Sequence, residues 1–132
     1  MEKQEHNIGG NILEIIPLGA GREVGRSCVV IKYKGKTIMF DCGIHPADTD
    51  ISGLPYFDLI NPAEIDMLLI THFHLDHLGA APYFLEKTEF SGKTYMTYPT
   101  KAIYKHVLVD SLRIGGGGED VTLFDRNDIN NS

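Results

Sequence analysis

The sequence has few cysteines, which excludes two common kinds of small protein. Cys28 and Cys42 are the only two among 132 residues. Their spacing fits neither a paired-thiolate zinc site nor the disulfide framework of a secreted domain. We therefore expect two buried, reduced thiols. A hairpin over the intervening residues would place them near each other, but a reducing compartment disfavours a disulfide.

Long hydrophobic runs are also missing. No apolar run approaches the roughly 20 residues that a membrane-spanning helix requires, so we expect no membrane partner. The N-terminal stretch MEKQEHNIGG lacks the apolar block of a signal peptide, which indicates a cytosolic or nuclear protein.

An excess of positive charge is the third absence. The chain has 12 basic and 18 acidic residues, a net charge of −6, and neither half is basic on balance. Nucleic-acid-binding proteins usually present a basic face, so a nucleic-acid function would need its charge from elsewhere. Hydrophobic residues make up 42% and charged residues 23% of the chain, a balance typical of one globular domain with one core.

The first half of the chain predicts strands separated by glycine-rich loops. After a polar tail over residues 1–10, ILEIIP predicts a strand over residues 12–17. The β-branched residues of CVVIKY and KTIMFD predict a hairpin that turns at Lys34-Gly35. Residues 42–63, rich in proline, glycine and aspartate, predict a long connection with one helical turn near Pro55–Leu59.

The second half predicts alternating strands and helices. DMLLIT (66–71) is an apolar run typical of a strand buried on both faces. A helix is predicted over LGAAPYFLEK, with Pro82 in its first turn. The remaining predictions are a strand over 94–98, a helix from Pro99 to about Leu112, and a loop or tail over 113–132 that could begin one more helix. This order indicates a mixed α/β architecture.

Three histidines and an aspartate lie within six residues of THFHLDHLGA, immediately after the predicted buried strand. In extended chain, residues two apart point the same way, so His72 and His74 could share one metal ion. The chain then turns, so that Asp76 and His77 could face a second ion. Imidazole and carboxylate suit zinc, and paired metals stabilise both oxygens of a displacement. A cluster with this spacing predicts a metal site rather than packing histidines.

Other polar residues give weaker indications. Asp41 ends the predicted strand KTIMFD, where it could either cap a turn or contact a metal ligand from the second coordination shell. His45 and His106 have no companion at ligand spacing, so we interpret them as surface or packing residues, and His6 as part of the disordered tail. Arg22 and Arg26 belong to the glycine-rich loop LGAGREVGRS (residues 18–27). A phosphate contact is one interpretation of them, and a solvated loop fits the pattern better.

The cluster and its flanking sequences resemble a known family. H-x-H-x-D-H after a hydrophobic strand resembles the metallo-β-lactamase superfamily. The stretches PLGAGREVGRSC, IMFDCGIHP, LPYFDLINPAEIDMLLITHFHLDHLGAAPYFLEKT and GKTYMTYPTKAIYKHVL are similar to its β-CASP branch, in particular to the nucleases that cleave pre-mRNA before polyadenylation. The resemblance covers about residues 12–110.

This resemblance implies a fold and a set of roles. The fold would be the N-terminal part of an αββα sandwich, with the second half of the sandwich, the β-CASP domain and further ligands outside the 132 residues. His72 and His74 would bind one Zn²⁺ ion, and Asp76 and His77 the other. Asp41 would support the site. Asp76 would be the catalytic residue present here, assisting the attacking hydroxide as a ligand.

The resemblance also implies a substrate and a setting. It predicts a zinc-dependent endoribonuclease with pre-mRNA as substrate, the other subunits of a cleavage and polyadenylation complex as partners, and a nuclear location. Residues 1–132 alone would bind metal weakly and cleave RNA negligibly. Two alternatives stay open: a hydrolase of small thioesters or lactams on the same fold, and a non-catalytic scaffold of a processing complex.

Overall fold

The computed structural model describes residues 3–45, 51–115 and 126–131. Within them, six strands form one mixed sheet in which the strand order follows the chain order. The strands are β1 (Gln4–Ile8), β2 (Asn11–Gly19), β3 (Cys28–Tyr33), β4 (Lys36–Phe40), β5 (Met67–Ile70) and β6 (Lys93–Met96). The helices are α1 (Leu75–Leu78), α2 (Ala81–Lys87), α3 (Tyr98–Gly115) and α4 (Arg126–Asn131). Short 3₁₀ turns lie at Ile51–Gly53, Phe57–Leu59 and Pro62–Glu64. No helix of the described residues has the length and apolar character to cross a bilayer.

Strands β1 to β4 pair antiparallel, whereas β4, β5 and β6 are parallel. The predicted hairpin of β3 and β4 is confirmed. Its turn has positive φ at both Lys34 (48°) and Gly35 (76°), as expected for a two-residue turn that matches strand twist. Because parallel strands end at the same edge, the residues after β4 and after β5 lie side by side. The candidate site lies at this edge.

The stretch predicted as a polar tail over residues 1–10 is polar and exposed, but residues 4–10 are ordered and not a tail; residues 1 and 2 lie outside the described residues. Residues Gln4–Ile8 form β1, an edge strand whose residues are all exposed and which pairs with β2. Gly9 and Gly10 have φ values of 58° and 91° and form the turn between the two strands. Because none of its side chains is buried, β1 has no apolar pattern that would reveal it in the sequence. The Gly-Gly turn allows the chain to reverse and to pair β1 with β2. His6 lies on β1, not in a disordered end.

The helix predicted over LGAAPYFLEK is also different from the observed structure. The observed helix, α2, begins three residues later than predicted, at Ala81, and has Pro82 in its first turn as expected; the separate one-turn helix α1 ends at Leu78. Pro82 explains the break, since a proline nitrogen has no hydrogen to donate to the preceding turn and is tolerated only where a helix begins. The predicted strand over 94–98 and the helix after it are confirmed as β6 and α3.

Part of the segment 113–132, predicted as a loop or tail, is helical. Helix α3 extends to Gly115, and α4 begins at Arg126. Ile129 is fully buried within the core, and Lys105 Nζ on α3 donates a hydrogen bond to the carbonyl oxygen of Asn130 at 2.9 Å. The rest of this segment (116–125 and 132) lies outside the described residues.

The core lies on one face of the sheet. Along β5, Leu68 and Ile70 are buried, while Met67 and Leu69 are only half-buried. The prediction that this strand is buried on both faces is therefore wrong for the described chain. Leu68 and Ile70 share the core with Phe84 of α2 and Leu108 of α3. Burying each of these side chains contributes about 2 kcal/mol to folding.

Cys28 and Cys42 are both free and fully buried, as the sequence predicts. Burial disfavours the thiolate and raises the pKa of both thiols well above the ordinary value of 9.0. In the unfolded chain they ionise near that ordinary value, so the unfolded state releases protons first as the pH rises. The stability contributed by the two thiols is therefore complete below pH 9.0 and decreases above it.

We expect the free energy of unfolding to fall from about pH 9 upwards, by roughly 1 kcal/mol per thiol for each pH unit above the ordinary pKa of 9.0. Urea unfolding at a series of pH values measures this slope. The double variant C28A/C42A is the control: its slope should be shallower by the contribution of both thiols. Equal slopes in the two proteins would show that the buried thiols are not the cause.

Candidate metal centre

His72, Asp76 and His77 converge just beyond the carboxyl end of β5. Each offers one ligand atom, and the three atoms lie within 4.8 Å of one another. The distance between His77 Nε2 and Asp76 Oδ2 is 3.4 Å. Two ligands of a tetrahedral zinc ion, each about 2.1 Å from the metal, are about 3.4 Å apart. Two imidazoles and a carboxylate at this separation fit a zinc ion.

The one-turn helix α1 carries Asp76 and His77, and the segment after β4 fixes that turn. Cys42 N donates to the carbonyl oxygen of His77 at 2.8 Å, and Ile44 N donates to that of Leu75 at 3.0 Å. The backbone of the glycine-rich loop adds Ser27 N, which donates to the carbonyl oxygen of Asp76 at 2.9 Å. A helix this short is not stable by itself. These contacts from outside the helix therefore determine where its side chains lie.

Asp41 follows β4 directly and is only 5% exposed. Its Oδ1 accepts a hydrogen bond from Thr71 N at 2.7 Å, and its Oδ2 accepts one from Thr71 Oγ1 at 2.8 Å. His77 Nδ1 lies 2.8 Å from the same Oδ2. A carboxylate can only accept, so Nδ1 of His77 carries the proton and Nε2 keeps its lone pair. Asp41 thus contacts His77, one of the predicted metal ligands, which is one of the two roles that the sequence allows for it.

His74 is not one of the three residues whose ligand atoms converge. Its side chain is exposed, and its ring packs edge-on, with centroids 4.9 Å from His72 and 4.7 Å from Phe73. The His72 ring is nearer to that of His77, at 3.8 Å. Among the described residues, the structure groups His72 with Asp76 and His77 and not with His74. The assignment of His74 as a ligand stays a prediction.

Among the described residues, none of the weaker candidates belongs to the converging group. His106 is exposed on α3, and the backbone nitrogen of His45 donates to the Gly53 carbonyl. Arg26 is engaged within its loop: it pairs with Glu23, donates to the Ser52 carbonyl at 2.8 Å and lies 5.0 Å from the Tyr56 ring centroid. The hydrogen bond from Arg26 lowers the pKa of Glu23 below its ordinary value. Arg22 is exposed.

Thr71, which no sequence pattern singles out, contacts both Asp41 and His72.

We expect Asp41→Asn to weaken zinc binding by about 10- to 100-fold, the usual effect of removing a partner that orients a ligand. Asparagine keeps the shape but replaces one accepting oxygen with a donor, so it cannot satisfy both Thr71 and His77. Isothermal titration with zinc chloride measures the affinity. Asp66→Asn is a matched control, because Asp66 accepts from Thr37 N at the other end of β5. Equal losses in both variants would contradict the role of Asp41.

A mixed α/β sheet with a histidine and aspartate cluster beyond its strand ends defines a metal-binding class of protein. Residues 21–130 match the metallo-beta-lactamase superfamily, and the chain belongs to that superfamily. The predicted α/β fold and the predicted resemblance are confirmed.

Curated relatives narrow the comparison. The chain is 56% identical over 123 residues to Cleavage and polyadenylation specificity factor subunit 3-I of Arabidopsis thaliana, covering 93% of the chain and 18% of the relative. It is 52% identical over 119 residues to Cleavage and polyadenylation specificity factor 73 of Drosophila melanogaster, covering 90% and 17%. It is 51% identical over 119 residues to Endoribonuclease ysh1 of Schizosaccharomyces pombe, covering 90% and 16%. The chain thus spans less than a fifth of the length of these relatives.

Proposed function

We propose that this chain carries part of the metal centre of an endoribonuclease that hydrolyses phosphodiester bonds of pre-mRNA during 3′-end processing. The convergence of His72, Asp76 and His77, with Asp41 fixing the His77 ring, is the observation that carries this proposal. The names of relatives that are 51–56% identical over nearly the whole chain support RNA as the substrate.

We assign two zinc ions to the complete site. His72, Asp76 and His77 fit one ion by their geometry, and His74 would reach the second. Further ligands would come from other parts of a longer protein, as the short coverage of the relatives allows. When bound, zinc supplies Lewis-acid stabilisation of the negative charge that develops on phosphoryl oxygens.

The residues of this chain position that chemistry. Asp41 keeps the proton of His77 on Nδ1, so that Nε2 can face the ion. Asp76 Oδ2, which lies 3.4 Å from His77 Nε2, would bind the same ion, and its other carboxylate oxygen would accept a hydrogen bond from the water that attacks phosphorus. That contact would align the water opposite the leaving oxygen, which is the geometry an in-line displacement requires.

The acidic character of the chain is compatible with this role. Contacts with phosphates supply affinity and register for nucleic acids, whereas hydrolysis requires the local metal site. With a net charge of −6, the chain would rely on other segments or on partner subunits to hold RNA. The names of the relatives support a cleavage and polyadenylation complex as the source of those contacts, and we propose that the active protein works in such a complex in the nucleus.

A chimaera tests the proposal. In it, this chain replaces the matching segment of Schizosaccharomyces pombe endoribonuclease ysh1. We expect zinc-dependent cleavage of single-stranded RNA and no hydrolysis of thioesters or lactams. The unmodified yeast protein is the positive control, and residues 1–132 alone should give negligible cleavage. A folded chimaera that binds zinc but leaves RNA intact would contradict the proposal, and turnover of thioesters would favour a small-molecule hydrolase.

A further inference from the structure

Thr71 occupies the position between β5 and the metal-ligand cluster, and its hydroxyl contacts two residues of the site. Thr71 Oγ1 is 2.8 Å from Asp41 Oδ2 and 3.3 Å from His72 Nδ1. The Thr71 side chain is exposed, so burial of its methyl group does not explain the position. Its backbone nitrogen separately donates to Asp41 Oδ1 at 2.7 Å.

The proton on the hydroxyl decides the direction of these bonds. A hydroxyl has one proton to donate and two lone pairs to accept. Asp41 Oδ2, as a carboxylate oxygen, can only accept, so the Thr71 proton lies on the short contact to Asp41. The contact to His72 must then be donated by Nδ1 of the imidazole. His72 thus carries its proton on Nδ1 and has a free lone pair on Nε2.

We infer that Thr71 is a positioning residue for His72, linking it to the same Asp41 carboxylate that orients His77. Oδ2 of Asp41 is thereby connected directly to His77 Nδ1 and, through the Thr71 hydroxyl, to His72 Nδ1. The Asp41 carboxylate thus determines which ring nitrogen is unprotonated in both His72 and His77. The inference rests on the proposed metal site, but it does not require RNA as the substrate.

The length of the contact between Thr71 and His72 indicates how much Thr71 should contribute to zinc affinity. Groups that hydrogen-bond the ring of a metal-ligating histidine usually contribute 10- to 100-fold to metal affinity. The 3.3 Å contact between Thr71 Oγ1 and His72 Nδ1 is at the long end for a hydrogen bond. The lower end of that range, about tenfold, is therefore expected for Thr71.

Thr71→Val tests the inference with little change in shape. The variant keeps the backbone bond to Asp41 Oδ1 and loses only the hydroxyl contacts. In the metal-free chain at about pH 8, ¹⁵N chemical shifts of the imidazoles report the tautomer. We expect the Nδ1–H form of His72 in the wild-type chain and a shift towards Nε2–H in the variant. His77 should keep its Nδ1–H form in both and is the internal control.

Zinc titration followed by the His72 resonance gives the second readout. We expect about tenfold weaker binding for Thr71→Val and wild-type affinity for Thr71→Ser, which restores the hydroxyl. An unchanged His72 tautomer in Thr71→Val, or equal affinity in the two variants, would overturn the inference. A wild-type chain that binds no zinc would instead overturn the proposed function, and the tautomer of His72 would still decide the assignment of Thr71.

Discussion

Asp76→Ala is expected to abolish RNA cleavage by the chimaeric endoribonuclease, with a loss of roughly a thousandfold or more in the initial rate. In the proposed function, the Asp76 carboxylate both binds a zinc ion and aligns the attacking water. Its removal would therefore leave a misdirected nucleophile and an incomplete ligand set. The rate of cleavage of single-stranded RNA at saturating zinc measures this effect.

Two comparisons make the Asp76 result specific. The carbonyl oxygen of Asp76, and not its carboxylate, accepts from Ser27 N, so Asp76→Ala should keep the wild-type circular dichroism spectrum. Glu86→Ala makes the same change of charge at an exposed position of α2 and should cleave RNA at the normal rate. An Asp76→Ala protein within about tenfold of wild type would show that this carboxylate does not take part in the reaction.

Gly43→Ala is expected to destabilise the fold by about 3 kcal/mol or more. A Cβ atom built on Gly43 would lie 1.7 Å from the carbonyl oxygen of Asp76 and 2.8 Å from Ser27 N. Both are backbone atoms, which cannot rotate away as the end of a side chain can. The methyl group would separate the segment after β4 from α1, and Asp76 and His77 would move with that helix.

Urea unfolding measures the loss at Gly43, and Gly9→Ala is the control. A Cβ on Gly9 meets nothing within 4 Å, although its φ is +58°. The expected cost at Gly9 is therefore only the left-handed backbone conformation, about 1 kcal/mol. A Gly43→Ala protein as stable as Gly9→Ala would contradict the close contact between Gly43 and α1.

The sequence was sufficient to predict those parts of the fold that local patterns determine. β-Branched residues on either side of Lys34-Gly35 predict the hairpin, and the apolar run before Thr71 predicts β5. The ligand cluster is recognisable because its members are close in sequence. Here the side-chain chemistry and the spacing lie within one short window, so no knowledge of tertiary structure is needed.

Features that depend on distant contacts could not be predicted in this way. The bond from Thr71 to Asp41 joins residues 30 positions apart, and it exists because β4 and β5 are parallel neighbours. The close approach of Gly43 to Asp76 has the same origin. Strand β1 has no buried face to produce an apolar pattern. The grouping of His72 with His77 depends on the helical turn of α1, which the period of an extended chain does not describe.

The most direct test of the metal centre is the position of zinc in crystals of the zinc-loaded protein, measured by anomalous diffraction at the zinc edge. We predict a peak about 2.0–2.2 Å from a ring nitrogen of His72, a carboxylate oxygen of Asp76 and Nε2 of His77. Zinc bound only at His6, His45 or His106, with no peak at the cluster, would contradict the proposed metal centre.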